Sequence, residues 1–176
     1  MSDLVIRDAI PADIPALHAL IESAYRGEAS RAGWTTEADL LDGQRTDPEE
    51  LAGIIADPDQ ALLLAWQDHQ RVACVRIQRF ADGLGYFGML SVKPTLQAAG
   101  FGRRMVAEAE AALAQRFGAV RIRIQVFPQR TELIAWYERL GYVATGEIAP
   151  FPYGDLRFGE PRRGDLSFVL FEKALT

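Results

Sequence analysis

The segment Gly88-Met89-Leu90-Ser91-Val92-Lys93-Pro94-Thr95-Leu96-Gln97-Ala98-Ala99-Gly100-Phe101-Gly102-Arg103-Arg104 constrains this chain more than any other. An apolar strand pattern ends at Val92, Pro94 breaks it, and a loop carrying Gln97-x-x-Gly100-x-Gly102 leads into a helix pattern from Gly102 to about Phe117. Phe101, Met105, Ala109, Ala112 and Phe117 form the apolar stripe of that helix. Free N–H groups at a helix start, with the roughly half positive charge of the helix dipole, make an anion site. Gly100 and Gly102 have no Cβ to keep phosphate oxygens away from the amides, and Arg103 and Arg104 add charge beside them. The spacing therefore predicts phosphate binding, although two glycines separated by one residue also occur in plain turns. The loop has no Gly-Lys-Ser/Thr and no third glycine, which disfavours Walker-type nucleotidases and dinucleotide-binding dehydrogenases.

Around this segment the patterning alternates between strands and helices. Strands are predicted at Leu4–Arg7, Ala61–Trp66, Val72–Phe80, Leu84–Val92, Val120–Phe127, Tyr142–Glu147 and Leu166–Phe171. Helices are predicted from Pro11 to about Tyr25, across 37–42, from the Asp47-Pro48-Glu49-Glu50 start to about Ala56, and over Glu132–Leu140. No repeat, linker or low-complexity tract divides the 176 residues, a length that suits one core. The expected class is α+β, a single domain over 1–176 built on a central mixed sheet of about seven strands flanked by helices.

Composition narrows the function classes. The net charge of −5 and 49% hydrophobic residues fit an ordinary folded protein, not a disordered one. No apolar run reaches the roughly 18 residues of a membrane helix, and no basic-then-apolar leader opens the chain, so a soluble, cytoplasmic protein without a membrane partner is expected. Cys74 is the single cysteine, in an apolar strand pattern that reads as structural, and the two histidines, His18 and His69, lie far apart, so no metal site is expected. Residues 1–60 hold 13 acids against 4 arginines, whereas 101–140 hold 7 arginines against 4 acids. An acidic protein is a poor nucleic-acid binder, but a basic central block suits one small polyanionic ligand.

Two motifs about 35 residues apart now stand in order: Gln97-x-x-Gly100-x-Gly102 and Leu133-Ile134-Ala135-Trp136-Tyr137-Glu138-Arg139-Leu140-Gly141-Tyr142. With the strand order and the closing Phe168-Val169-Leu170-Phe171-Glu172-Lys173, the chain resembles the GNAT superfamily of acyl-CoA-dependent N-acyltransferases over nearly its full length. That resemblance implies a mostly antiparallel sheet in which two parallel strands, ending near Val92 and Phe127, splay to form a cleft for acetyl-CoA. The pyrophosphate loop maps onto Gln97, Ala98, Ala99, Gly100, Phe101, Gly102 and Arg103, and the pantetheine contacts onto the backbone of Leu90, Ser91 and Val92. Tyr137 maps onto the tyrosine placed near the thioester sulfur. Many members carry Asn where this chain has Arg130, a residue suited to CoA phosphate or substrate.

The implied activity is direct transfer of an acetyl group to a primary amine of a small molecule or peptide. A non-catalytic acyl-CoA-binding or sensing module is the alternative, and family habit makes a homodimer plausible. Tyr137 is the candidate general acid, since a phenol with an ordinary pKa near 10 is protonated at neutral pH. A strand amide near Leu90 suits polarisation of the acetyl carbonyl. Glu28 is the candidate base, with Glu22 beside it. Substrate contacts are expected from Trp34, Arg45, Phe151 and Tyr153, where aromatic residues can wall a pocket. The acidic first third favours a cationic amine, and Arg31 and Arg45 leave room for an amino-acid carboxylate.

Overall fold

Alternating apolar residues on the strands of this protein let one sheet bury both faces under helices. The structure, a computed structural model, describes residues 3–33 and 35–175, without the side chains of Glu28 and Ala98. Strand β1 (Val5–Asp8) leads through a 3₁₀ turn to helix α1 (Ile14–Tyr25) and the short α2 (Gly27–Ser30). Strand β2 (Leu41–Asp42) precedes helix α3 (Pro48–Ala56), which Asp47 caps by accepting from the Glu50 N–H. Strands β3 (Gln60–Gln67), β4 (Gln70–Arg79) and β5 (Leu84–Val92) form a meander. A 3₁₀ stretch, Pro94–Ala99, then enters α4 (Phe101–Phe117). Strand β6 (Arg121–Val126), helix α5 (Thr131–Arg139), and strands β7 (Val143–Pro150), β8 (Glu160–Pro161) and β9 (Ser167–Ala174) complete the chain.

Seven strands form the main sheet in the order β1-β3-β4-β5-β6-β9-β7, and β5–β6 is its parallel pair among antiparallel neighbours. Two expectations need correction. The segment expected to be helical at 37–42 ends instead in β2, which pairs with β8 in a small second sheet. The last two main-sheet strands run further than their apolar patterns, to Pro150 and Ala174, because pairing with β9 orders the end of β7 and pairing with β6 orders the end of β9.

Leu62 and Leu64 of β3 face α1 and α3, where Leu17, Leu20, Ile21, Leu51 and Ile54 cover them. Leu63 and Ala65 face the other way, toward Met105, Val106, Ala109 and Leu113 of α4. Truncating one of these long side chains to alanine costs about 2–5 kcal/mol.

Strand β5 breaks the alternation at the point that matters. Cys74 pairs with Ser91 and Arg76 with Gly88, so Met89 and Leu90 together oppose Val75, and Met89 takes φ of 51°. This is a bulge, which inserts a residue and turns the strand. Its effect shows in the packing: Phe87, Leu90 and Val92 all lie on the α4 side, whereas Met89 packs among the α1 and α3 residues.

Candidate active site

Strands β5 and β6 pair only through Leu84–Arg121, Gly85–Ile122 and Tyr86–Arg123. Beyond these they separate, and the gap is a cavity of about 310 Å³. Its walls include Phe87 to Leu90 of β5, Ile124 to Val126 of β6, and Phe127, Leu133 and Tyr137 beyond β6. The bulge turns β5 within this wall, so strand geometry rather than a loop creates the opening.

At the end of β5 the chain reaches α4. Gly100 takes φ of 85°, a left-handed conformation that favours glycine, and places the first turn of α4 immediately after it. A Cβ at Gly100 would meet no protein atom within 4 Å, so the space beside this helix start is open. Gly102 is buried, and a Cβ there would lie 3.6 Å from Trp136, so α4 begins against α5 one residue away from Tyr137. Arg103 and Arg104 are exposed, and Arg104 pairs with Glu108 at 2.9 Å. Open amides, a glycine turn and flanking arginines fit a diphosphate.

Gln97 has a structural task within the predicted loop. It is buried, and its Nε2 donates to Thr35 Oγ1 at 2.7 Å and to the Val92 carbonyl at 3.1 Å. Its Oε1 accepts from the Thr35 N–H, and the side chain fills the space beside Gly33. The side chain thus ties the segment after α2 to the end of β5. The Leu90 carbonyl is likewise engaged, by the buried Tyr25 hydroxyl. Burial, against the opposing pull of Arg45 and Arg130, raises the Tyr25 phenol to about 12. The carbonyls of Leu90 and Val92 therefore already accept from side chains, and Ser91 is buried with its hydroxyl on the Met89 carbonyl.

Tyr137 lines the cavity, 6% exposed, with its ring against Phe87, Trp136 and Tyr142. Among the described residues its hydroxyl has no hydrogen-bond partner. Burial pushes its phenol far above the ordinary tyrosine range, so it stays protonated at any working pH.

Arg130, expected to meet CoA phosphate or substrate, already has protein partners. Although it lines the cavity, it donates to Glu37 Oε2 at 2.9 Å and to the Thr35 carbonyl at 2.5 Å. Arg26 donates to the other carboxylate oxygen of Glu37 at 2.6 Å. Burial disfavours charge on Glu37, yet Arg130, Arg26 and Arg45 outweigh it and hold its carboxyl below the ordinary range. Two guanidinium groups thus share one buried carboxylate.

Of the expected substrate residues, Arg45 and Phe151 line the cavity. Phe151 packs with Phe127 and Phe168 in an aromatic wall. Tyr153 is 45% exposed and not itself part of the cavity lining, and its ring packs edge-on against Phe151, which is. Its hydroxyl donates to the Arg163 carbonyl and accepts from the Leu166 N–H, which closes the loop between β7 and β9. Trp34 and the side chain of Glu28 lie outside the described residues. Glu22 accepts from the Arg45 and Thr46 N–H groups, a positioning task outside the cavity. Cys74 is buried, and burial raises its thiol to about 12, so it is no nucleophile.

Sequence reading missed Tyr25, Arg26, Glu37, Glu50, Arg76 and Tyr86, all of which line the cavity. Periodicity gave part of the signal, since Tyr25 ends the apolar stripe of α1. The others are residues on strands, loops and the first turn of α3 whose convergence depends on long-range topology. Among the described residues no group of three or more His, Cys, Asp or Glu is placed to hold a metal ion, and no helix is long and apolar enough to cross a membrane.

Comparison with known proteins agrees with this architecture. The ribosomal-protein-S18-alanine N-acetyltransferase of Escherichia coli superposes with a TM-score of 0.73 at 16% identity, over 99% of this chain and 95% of that one. The ribosomal-protein-alanine N-acetyltransferase of Brucella melitensis gives 0.70 at 20% identity, over 97% and 99%. YncA of Salmonella typhimurium, solved with its cofactor acetyl-CoA, gives 0.68 at 18% identity, over 98% and 94%. At these identities the likeness establishes the fold. No curated protein sequence matches the chain. The sequence pattern of the Acetyltransferase (GNAT) family matches residues 16–142, and the chain belongs to that family.

Proposed function

We propose that this protein is an N-acetyltransferase that moves an acetyl group from acetyl-CoA to a primary amine by direct transfer. The observation that carries this reading is the separation of β5 and β6 after three paired residues, with Tyr137 lining the gap. The amides at the start of α4 and the open side of Gly100 suit the diphosphate, with Arg103 and Arg104 nearby. Acetyl-CoA supplies an activated thioester; the protein supplies alignment and proton control.

In the transfer, the neutral amine nitrogen bonds to the thioester carbonyl carbon and the carbon–sulfur bond breaks. Tyr137 donates its hydroxyl proton to the departing sulfur, and the proton released by the amine restores the phenol through water. Coenzyme A leaves as the thiol and the acceptor as the amide, so atoms and charge balance. The high proton affinity of Tyr137 keeps the acid loaded before each turnover. Deprotonating an incoming ammonium needs a carboxylate or water. Glu37 is a weak base because two arginines hold it charged. Glu50 lines the same cavity and forms no ion pair among the described residues, which makes it a better base for that step than Glu37; Glu28 is the candidate that the sequence offers.

Release of free thiol from acetyl-CoA across an amine panel tests the proposal. Amine-dependent release supports it. Tight acetyl-CoA binding without release by any amine would reassign the protein as a binding module.

A further inference from the structure

The cavity wall carries four arginines, Arg26, Arg45, Arg76 and Arg130, against two acids, Glu37 and Glu50. Arg26 and Arg130 are both satisfied by Glu37. Neither of the other two hydrogen-bonds to a carboxylate among the described residues. Arg76 donates to the amide oxygens of Gln60 and Gln78, each at 2.7 Å, and both partners are neutral. The Arg45 guanidinium lies 5.2 Å from the centre of the Tyr25 ring and makes no hydrogen bond among the described residues. Arg45 is near enough for its charge to act on Arg76; Glu37 and Glu50 attract Arg45, and Glu50 attracts Arg76 as well.

Neither guanidinium has its fork filled by a carboxylate: Arg76 rests on neutral amides, and Arg45, whose charge Glu37 and Glu50 favour through space, has no hydrogen-bond partner among the described residues, so both can take an anion. Arginine's planar fork matches a carboxylate well. The cavity lining includes none of residues 93–104, so this pair is separate from the amides suited to diphosphate. The aromatic wall of Phe127, Phe151 and Phe168 completes a pocket with a cationic side, an apolar side and one unpaired acid.

Building on the acetyltransferase reading, we propose that the acceptor is a small amino acid whose free carboxylate is held by Arg45 and Arg76. Its amine faces Glu50 and its side chain rests on the aromatic wall. The acidic first third of the sequence pointed to a cationic amine, but its acids are mostly outside the cavity, where the local balance is positive.

The test is thiol release with matched sets: an amino acid, its carboxamide, and the amine left by decarboxylation, built on alanine, methionine and phenylalanine skeletons. The carboxamide stands for a peptide N-terminus. In the set that fits best, the free amino acid should have a kcat/KM about 10- to 100-fold above its two partners. Arg45→Gln and Arg76→Gln should each raise the amino-acid KM about tenfold or more and shrink that preference. Calorimetric binding of acetyl-CoA reports whether each variant keeps a folded cleft. If a Gln variant loses that binding, Arg45→Lys and Arg76→Lys keep the charge but not the fork, and the preference should still fall. Equal or better turnover of carboxamide or decarboxylated amine would overturn the acceptor assignment and leave the transferase standing. Failure of every amine would overturn the transferase reading itself.

Discussion

Arg130 and Glu37, 93 residues apart in sequence, meet at 2.9 Å beside the gap between β5 and β6. Their pair fastens the segment after α2 to the start of α5, and Arg26 binds the same carboxylate from the other side. Removing the charge leaves two guanidinium groups without their shared anion in a buried site, which is more damaging than losing an exposed pair. Glu37→Gln should therefore lower stability by about 3 kcal/mol or more, measured by urea unfolding. Because the carboxyl is held below its ordinary range, its contribution is complete above the unfolded value near 4.5 and disappears as pH falls through the lower folded value. A Gln variant as stable as the parent at neutral pH would show that the network carries no stability.

Tyr137 makes a different kind of prediction. Tyr137→Phe keeps the ring against Phe87 and Tyr142 and removes only the hydroxyl. Turnover should fall about 10²- to 10⁴-fold while acetyl-CoA affinity changes little. The raised phenol also means that Tyr137 imposes no alkaline loss of activity at any pH up to about 9. Unchanged turnover in the Phe variant would remove the general-acid role.

Gly100 tests the start of α4. At φ of 85° an alanine is strained, costing about 1–2 kcal/mol of stability. Its Cβ would touch no protein atom within 4 Å, so side-chain crowding within the protein adds nothing to that strain. Gly100→Ala should weaken acetyl-CoA binding about tenfold in calorimetry, and unaltered affinity would place the diphosphate elsewhere.

Asp13 predicts acid behaviour remote from the cavity. It is buried, and the Arg7 guanidinium, with the Ile10 N–H and Arg71 and against the cost of burial, lowers its carboxyl from 3.8 to about 2. Stability from this site is present above pH about 4 and is lost as pH falls toward 2. Arg7 is partly exposed, so screening limits the contribution to about 1–2 kcal/mol. Asp13→Asn should lower the midpoint of thermal unfolding at pH 7 and flatten the acid limb below pH 4. An acid limb unchanged by the substitution would assign that loss to other carboxyls.

The sheet was legible because its strands bury apolar residues at a period of two, and α4 because its stripe, Met105, Ala109 and Ala112, repeats at helical spacing. The bounds of β5, Leu84–Val92, followed from its apolar run. The bulge inside it did not, because no residue there signals φ of 51° at Met89. The cavity's acceptor side was the least legible part. Arg76 reads as a solvated strand residue, and Glu37 as one acid among 13 in the first 60 residues. Their placement depends on β4 lying beside β5 and on the segment after α2 folding back over the sheet. Arg130 stood out through the departure from Asn, but its partner lay far away in sequence. An aromatic loop residue such as Tyr153 reads alike whether it walls a pocket or locks its own loop, and the second contact, through Leu166, was not legible.

The central claim is that the gap between β5 and β6 receives acetyl-CoA from the start of α4 and presents its sulfur to Tyr137. A crystal structure with acetyl-CoA bound tests this directly. Diphosphate oxygens are expected on the amides between Gly100 and Arg104, with the thioester sulfur within hydrogen-bond reach of the Tyr137 hydroxyl. A cofactor bound on another face, with the gap filled by Tyr86, Phe87 and Tyr137 side chains, would contradict it.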